Sequence, residues 1–117
     1  MENEKPLYSL DKIKEIDDAE DFIQQVIQIF LETVPPNTEA MVKACAQEDW
    51  DQVYFFAHKI KSNINLLSID SIIEDVRFVE QSAKNRVNVE MIEEKVKFIE
   101  GVLERVKDEI KAHLPMP

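Results

Sequence analysis

Apolar residues recur at helical spacing over almost the whole chain, and a single glycine interrupts them. The clearest stretch is near the C-terminus. There Ile92, Val96, Ile99, Leu103, Val106 and Ile110 follow one another at alternating intervals of four and three residues. A spacing of about 3.5 residues keeps one stripe facing a neighbour at a shallow crossing angle. Such a chain folds by burying helical stripes against one another. With one glycine it has neither the Gly-rich loop that cradles a phosphate nor the Gly-dense turns of a many-stranded sheet.

The stripes divide into successive helices. A short one is predicted from Leu10 to Ile16, after which Asp17 or Asp18 offers an N-cap oxygen. The next carries Phe22, Ile23, Val26, Ile27, Phe30 and Val34, and the pattern resumes with Met41, Val42 and Cys45. Pro35 and Pro36 remove two backbone donors and crowd the preceding turn. The expectation is therefore two nearly collinear helices, or one bent helix, between about Ala19 and Gln47. Asp49 caps a helix from Trp50 to about Leu67. Ile69, Ile72, Ile73, Val76, Val79 and Ala83 mark another, from Ile69 to Ala83. Asn88 caps the last. Gly101 lies inside that last helix, at up to about 1 kcal/mol relative to Ala. Four long amphipathic helices with short connections predict an all-α fold: an antiparallel four-helix bundle, with a short extra N-terminal helix and a Pro-Pro break or kink near residue 35. At 117 residues, with no linker or repeat, one domain covering 1–117 is expected.

Charge narrows the function classes. Fourteen Lys and Arg against twenty-four Asp and Glu give a net charge of −10. That balance argues against a general binder of nucleic acid, whose affinity comes from cations on phosphates, and against docking to an anionic membrane. Met1 to Leu10 is polar, and no run approaches the roughly 18 apolar residues of a membrane span. One cysteine forms no internal disulfide. The expected setting is a reducing compartment, the cytoplasm by default. Cys45 reads as a small core filler, and His113 as incidental near a helix C-terminus. Two His and one Cys, far apart, make a poor metal set, so no metal site is expected.

The segment Val53 to Leu67 is the informative one. At about 100° per residue, Val53, Phe56, Ala57, Ile64 and Leu67 fall within about 60° of Ile60, which defines the buried stripe. His58 falls about 160° away, pointing out of the bundle at mid-helix. Lys61, Ser62 and Asn65 follow at i+3, i+4 and i+7 on the same side, and Tyr54 and Phe55 precede it there. An imidazole is thus flanked by a cation, a hydroxyl and two aromatics on an outward surface, and exposed aromatics off a core stripe mark docking surfaces. A neutral imidazole has a free ring nitrogen near neutral pH and attacks an activated phosphoryl group with no base to deprotonate it. A lysine one turn away offsets phosphoryl charge, and the small Ser62 leaves room for a partner.

Glu80 is out of place. It falls about 40° from Val76, inside the apolar stripe of its helix. A carboxylate there either snorkels out at the edge or needs a partner. The candidate partners are His58 and Lys61 across the helix pair, a contact that would fix the imidazole tautomer.

Ala57-His58-Lys59-Ile60-Lys61-Ser62, followed by Leu67, resembles the signature of histidine-containing phosphotransfer (HPt) domains, which reads roughly A-H-x-[LI]-K-[GS]-x-x-x-x-L-G. Asp49-Trp50-Asp51, Val79-Glu80 and the Phe30 to Pro35 segment are also similar in spacing, and the likeness runs from about Phe22 to Ala83. The resemblance implies a phosphorelay shuttle without kinase activity of its own. His58 is the implied phosphoacceptor and Lys61 the implied phosphoryl-stabilising residue, with Ser62 and Glu80 in support. Tyr54, Phe55, Lys59 and Asn65 form the implied docking set. The implied partners are response-regulator receiver domains, or a hybrid sensor histidine kinase. The receiver brings the Mg²⁺, so no cofactor is expected on this chain. Ser68 departs from the family, which has Gly after the Leu, and Ser tolerates a left-handed turn less well.

Two rival readings come from other classes. One is an HPt-like adaptor that binds a partner without being phosphorylated. The other is a coiled-coil oligomer built on the regular last helix, whereas the phosphotransfer reading expects a monomer. An independent enzyme is the weakest reading, because no catalytic set assembles from these residues.

Overall fold

The computed structural model describes residues 6–112, so His113 lies outside the described residues. The elements are α1 (Asp11–Ile16), α2 (Glu20–Ala46), α3 (Trp50–Leu66), α4 (Asp70–Asn85) and α5 (Ile92–Lys111), with a single 3₁₀ turn at Val89–Met91 before α5. Each of the four long helices packs on the next, and α2 closes the ring against α5. Short connections make this the up-down bundle expected from the stripes. Among the described residues there is no strand.

The stripes are the core. Val53, Ala57, Ile60 and Ile64 from α3, with Leu67 just past its end, meet Ile72, Val76, Val79 and Ala83 from α4, all fully buried or nearly so. Phe56 sits at the edge of its stripe, half-buried. From α5, Ile92, Val96, Ile99, Leu103, Val106 and Ile110 are all buried inside this same bundle. The seam that a coiled-coil oligomer would need is therefore occupied within one chain.

Pro35 and Pro36 do not break α2, which runs as one helix of 27 residues. Two prolines forfeit two backbone donors, at about 3 kcal/mol or more each. Burial on both sides offsets this. Phe30, Val34 and Met41 are each at most 1% exposed, and a large apolar side chain contributes about 1.5–3 kcal/mol when buried. The next two residues bind the helix back on itself: Asn37 Nδ2 donates to the Thr33 carbonyl at 2.8 Å and Thr38 Oγ1 to the Val34 carbonyl at 2.8 Å.

Two caps differ from the sequence expectation. Asp17 does not cap α2 directly. Its Oδ1 accepts from the Ala19 N–H at 2.9 Å, and Ala19 occupies the cap position with no side-chain bond. Asn88 makes no side-chain cap either. It is left-handed (φ 53°), and its carbonyl accepts from Met91 N–H to open the 3₁₀ turn. Asp49 caps α3 as expected, accepting from Gln52 N–H at 3.3 Å.

The glycine is not where the backbone would use one. Glu48, Ser68 and Arg86 follow the ends of α2, α3 and α4 in the left-handed conformation, with φ of 56°, 50° and 57°. At Ser68 the reverse bonds are complete: Ser68 N–H donates to Asn65 O at 3.1 Å and Ile69 N–H to Ile64 O at 3.0 Å. That is the Schellman pattern, whose left-handed residue is ordinarily Gly. Meanwhile Gly101 sits mid-helix on the exposed side, and a Cβ there would meet nothing within 4 Å. No close helix contact compensates its presence.

The N-terminal segment straps one end of the bundle. Ser9 N–H donates to the Leu67 carbonyl at 2.8 Å and Lys12 Nζ to the Asn65 carbonyl at 3.0 Å, satisfying the open end of α3. Tyr8 and Ile13 are buried beneath it.

Two substitutions test this backbone account. Gly101→Ala raises unfolding stability by about 0.5–1 kcal/mol, and Ser68→Gly raises it by about 1 kcal/mol. Urea midpoints at constant m-value measure both, and the two effects add. A Ser68→Gly protein no more stable than the original would contradict the left-handed turn.

Candidate functional site

The site is built on the α3–α4 pair. The α3 stripe fixes rotation about the helix axis, so burying Ala57 and Ile60 forces the two residues between them outward, the first of them on the side of α4. His58 stands there with its side chain 59% exposed. On the facing turn of α4, Glu80 follows Val79 in the buried layer and is 4% exposed. The sequence left open whether Glu80 snorkels or pairs, and the geometry settles it. Glu80 Oε2 lies 2.5 Å from His58 Nδ1, and Glu80 Oε1 accepts from Lys61 Nζ at 2.9 Å.

Both oxygens of this buried carboxylate are therefore occupied. Burial by itself pushes the Glu80 carboxyl up and is the largest single influence on it. The hydrogen bonds and charges of Lys61 and His58 together outweigh it, and hold the group below the usual glutamate range. Glu80 is thus ionised near neutral pH, and an ionised carboxylate only accepts. It follows that His58 Nδ1 carries the hydrogen and donates it. The lone pair is left on Nε2, on the open side of the ring.

The aromatic neighbours fall where the helical period places them. Tyr54 stacks on the imidazole, with ring centroids 5.8 Å apart and planes at 28°. Phe55 is 47% exposed. It is steadied by an edge contact with Phe56 at 5.0 Å and by Lys59 Nζ, 5.3 Å above its ring. Ser62 and Asn65 are exposed on the same face. Clefts open elsewhere, one beside Pro35 and Pro36 against α5 and another between α4 and α5, and His58 lines neither. The imidazole thus stands on an open face, outside both clefts.

Lys61 lies on the outward side of α3, as the helical period places it, and its ammonium reaches back to the buried carboxylate for which it was a candidate partner, leaving its side chain 35% exposed. The residue that sequence reasoning missed is Lys12, which holds the Asn65 carbonyl from α1. Nothing in the residue pattern of α1 announces that contact. Among the described residues, no group of three or more His, Cys, Asp or Glu is arranged to hold a metal ion, and no helix is long and apolar enough to cross a membrane.

Two stability measurements follow. Lys61→Ala removes one of two partners from a buried carboxylate and lowers stability by about 1–3 kcal/mol. The depressed Glu80 value also sets a pH dependence. Its contribution is fully present above the unfolded glutamate value of about 4.3 and is lost as pH falls through the lower folded value. The stability gap between the natural protein and Glu80→Gln is therefore widest near neutral pH and narrows in acid. A gap that is constant with pH contradicts the ionised pairing.

The Hpt domain model matches residues 25–112, about three-quarters of the chain. The match begins close to where the sequence likeness begins and runs on through α5. No curated protein and no solved structure matches at a significant level. Hpt domains are phosphocarriers rather than enzymes; they serve histidine phosphotransfer in phosphorelays and interact with response-regulator receiver domains. An outward histidine on a helical bundle, within a match of that extent, places this chain in the Hpt family.

Proposed function

We propose that His58 accepts a phosphoryl group from the phospho-aspartate of one receiver domain and passes it to the aspartate of another. One observation carries this reading: Nδ1 of an exposed imidazole is bound by a buried carboxylate, which leaves Nε2 as the nucleophile on the open side.

In the forward step the Nε2 lone pair attacks phosphorus in line with the acyl phosphate. The N–P bond forms as the P–O bond breaks, and the aspartate leaves as a carboxylate. No proton has to be removed from the nucleophile, because Nδ1 holds the hydrogen throughout. The return step reverses these changes on the second receiver. Transfer of this kind is chiefly positioning and electrostatic stabilisation of the moving phosphoryl group. Lys61 supplies the positive charge on this chain, one helical turn from the ring. The Mg²⁺ that the reaction uses comes with the receiver, and this chain carries no cofactor of its own. Tyr54, Phe55, Lys59 and Asn65 form the docking face, and Ser62 stays small so that the partner approaches closely. A hybrid sensor kinase is the second kind of partner the reading accommodates. The protein acts as a monomer in the cytoplasm, a setting that its single buried cysteine and fully internal α5 stripe support.

The test is label transfer. Mixing with a receiver phosphorylated on aspartate gives acid-labile, alkali-stable label on this protein, and His58→Gln abolishes it. Label that persists in His58→Gln refutes the assignment. Binding of the receiver with no label in the natural protein favours the adaptor reading instead. Ser62→Trp slows transfer from the receiver by at least about tenfold, a loss of about 1.4 kcal/mol of transition-state stabilisation. It leaves labelling by a small donor such as phosphoramidate unchanged.

A further inference from the structure

Glu80 contacts the ring nitrogen opposite the one that reacts, and the consequence reaches past orienting the nucleophile. We propose that Glu80 is a positioning residue that keeps the phosphorylated imidazole in its protonated, cationic form, and so sets how readily His58 gives the phosphoryl group up. The inference rests on the phosphotransfer reading and deepens it.

The argument starts from charge balance. When Nε2 bonds to phosphorus, its lone pair enters the new bond and the ring becomes an imidazolium with its hydrogen still on Nδ1. In water that ring loses the Nδ1 hydrogen as pH rises, leaving a neutral phospho-imidazole. The two forms differ as donors. From the cation, the N–P bond breaks with its electron pair returning to nitrogen and a neutral imidazole departs. From the neutral form an imidazolide anion would have to depart, which is far less favourable. Whatever holds the Nδ1 hydrogen therefore controls the leaving group.

In this protein the nitrogen that holds that hydrogen lies 2.5 Å from an oxygen of a carboxylate whose side chain is 5% exposed. A charge-assisted bond to a carboxylate that is itself shielded from water is stronger than the same bond to an exposed one. Lys61 is the other charged group acting on Glu80. It occupies the second oxygen, which keeps the carboxylate ionised while leaving Oε2 to the ring. Of the other cations on the helix pair, Lys59 lies over Phe55, Arg77 binds Glu74 and Arg86 binds Asp51, while Lys84, one turn beyond Glu80, is exposed and is not among the charges that act on its carboxyl. Tyr54 stacks on the ring. One carboxylate thus dominates the proton on the far nitrogen. A carboxamide in its place can still accept that bond, but cannot balance the cation.

The experiment loads His58 with phosphoramidate, which bypasses receiver docking, and follows loss of label with pH. For Glu80→Gln the label decays about 3- to 10-fold more slowly near neutral pH, and the profile moves to lower pH, because one unit in the proton affinity of the ring is tenfold in its charged fraction. Equal lifetimes and superimposable profiles overturn the inference, while label on His58 from a receiver still upholds the phosphotransfer reading. A second measurement uses the natural protein alone and so does not depend on the variant folding. In the phosphorylated protein, the ¹⁵N resonance of His58 Nδ1 keeps its proton to a pH at least about one unit above that of the same phosphohistidine in the urea-unfolded chain. Loss at the same pH in both states overturns the inference.

Discussion

A single buried carboxylate organises this site. Glu80 sits in a layer that is otherwise Val, Ile, Ala and one Ser, where an unpaired charge is intolerable. It is tolerable because two cationic or hydrogen-donating groups from the neighbouring helix reach it, one at each oxygen. The demand runs both ways. His58 and Lys61 would otherwise be free to move on an open face, and the buried anchor gives each of them one direction. The outward direction of Nε2 thus follows from an inward requirement for charge balance.

The bundle exists to make that anchor possible. Rotation of α3 is fixed by Val53, Ala57, Ile60, Ile64 and Leu67, and rotation of α4 by Ile72, Val76, Val79 and Ala83. Axial register is held by the turn through Ser68, with its two reverse hydrogen bonds, and by the strap that donates to the end of α3. The continuous α2, prolines included, supports the opposite side of α3. Each device is remote from His58, yet each limits where its ring can be. Precision at the site comes from close packing of side chains that take no part in the chemistry.

Much of this was legible in the sequence, for physical reasons that can be named. A helical period reports which side of α3 is buried, so His58 could be placed outward from Ile60 and its neighbours alone. Glu80 was legible as a misfit, because a carboxylate inside an apolar stripe breaks the pattern that burial enforces. The family followed from the residues around His58, and the Hpt match extends it across α5. The rest depended on long-range contacts that a linear pattern does not encode. Continuity through Pro35 and Pro36 rests on packing on both sides of the break and on the hydroxyl and amide that follow it. For Lys61 the sequence offered Glu80 as a candidate partner, and the structure supplies the reach of the flexible stem that brings the ammonium to Oε1. The roles of Ser9 and Lys12 appear only once α1 lies against the end of α3.

The central claim is that Glu80 selects the tautomer of His58, and ring-nitrogen NMR of the unphosphorylated protein reads it directly. Histidine side chains in water favour the form with hydrogen on Nε2. The account predicts the opposite for the neutral ring of His58: a protonated Nδ1 and an unprotonated Nε2, reverting toward the ordinary mixture in Glu80→Ala. A natural protein whose His58 carries its hydrogen on Nε2 would contradict it.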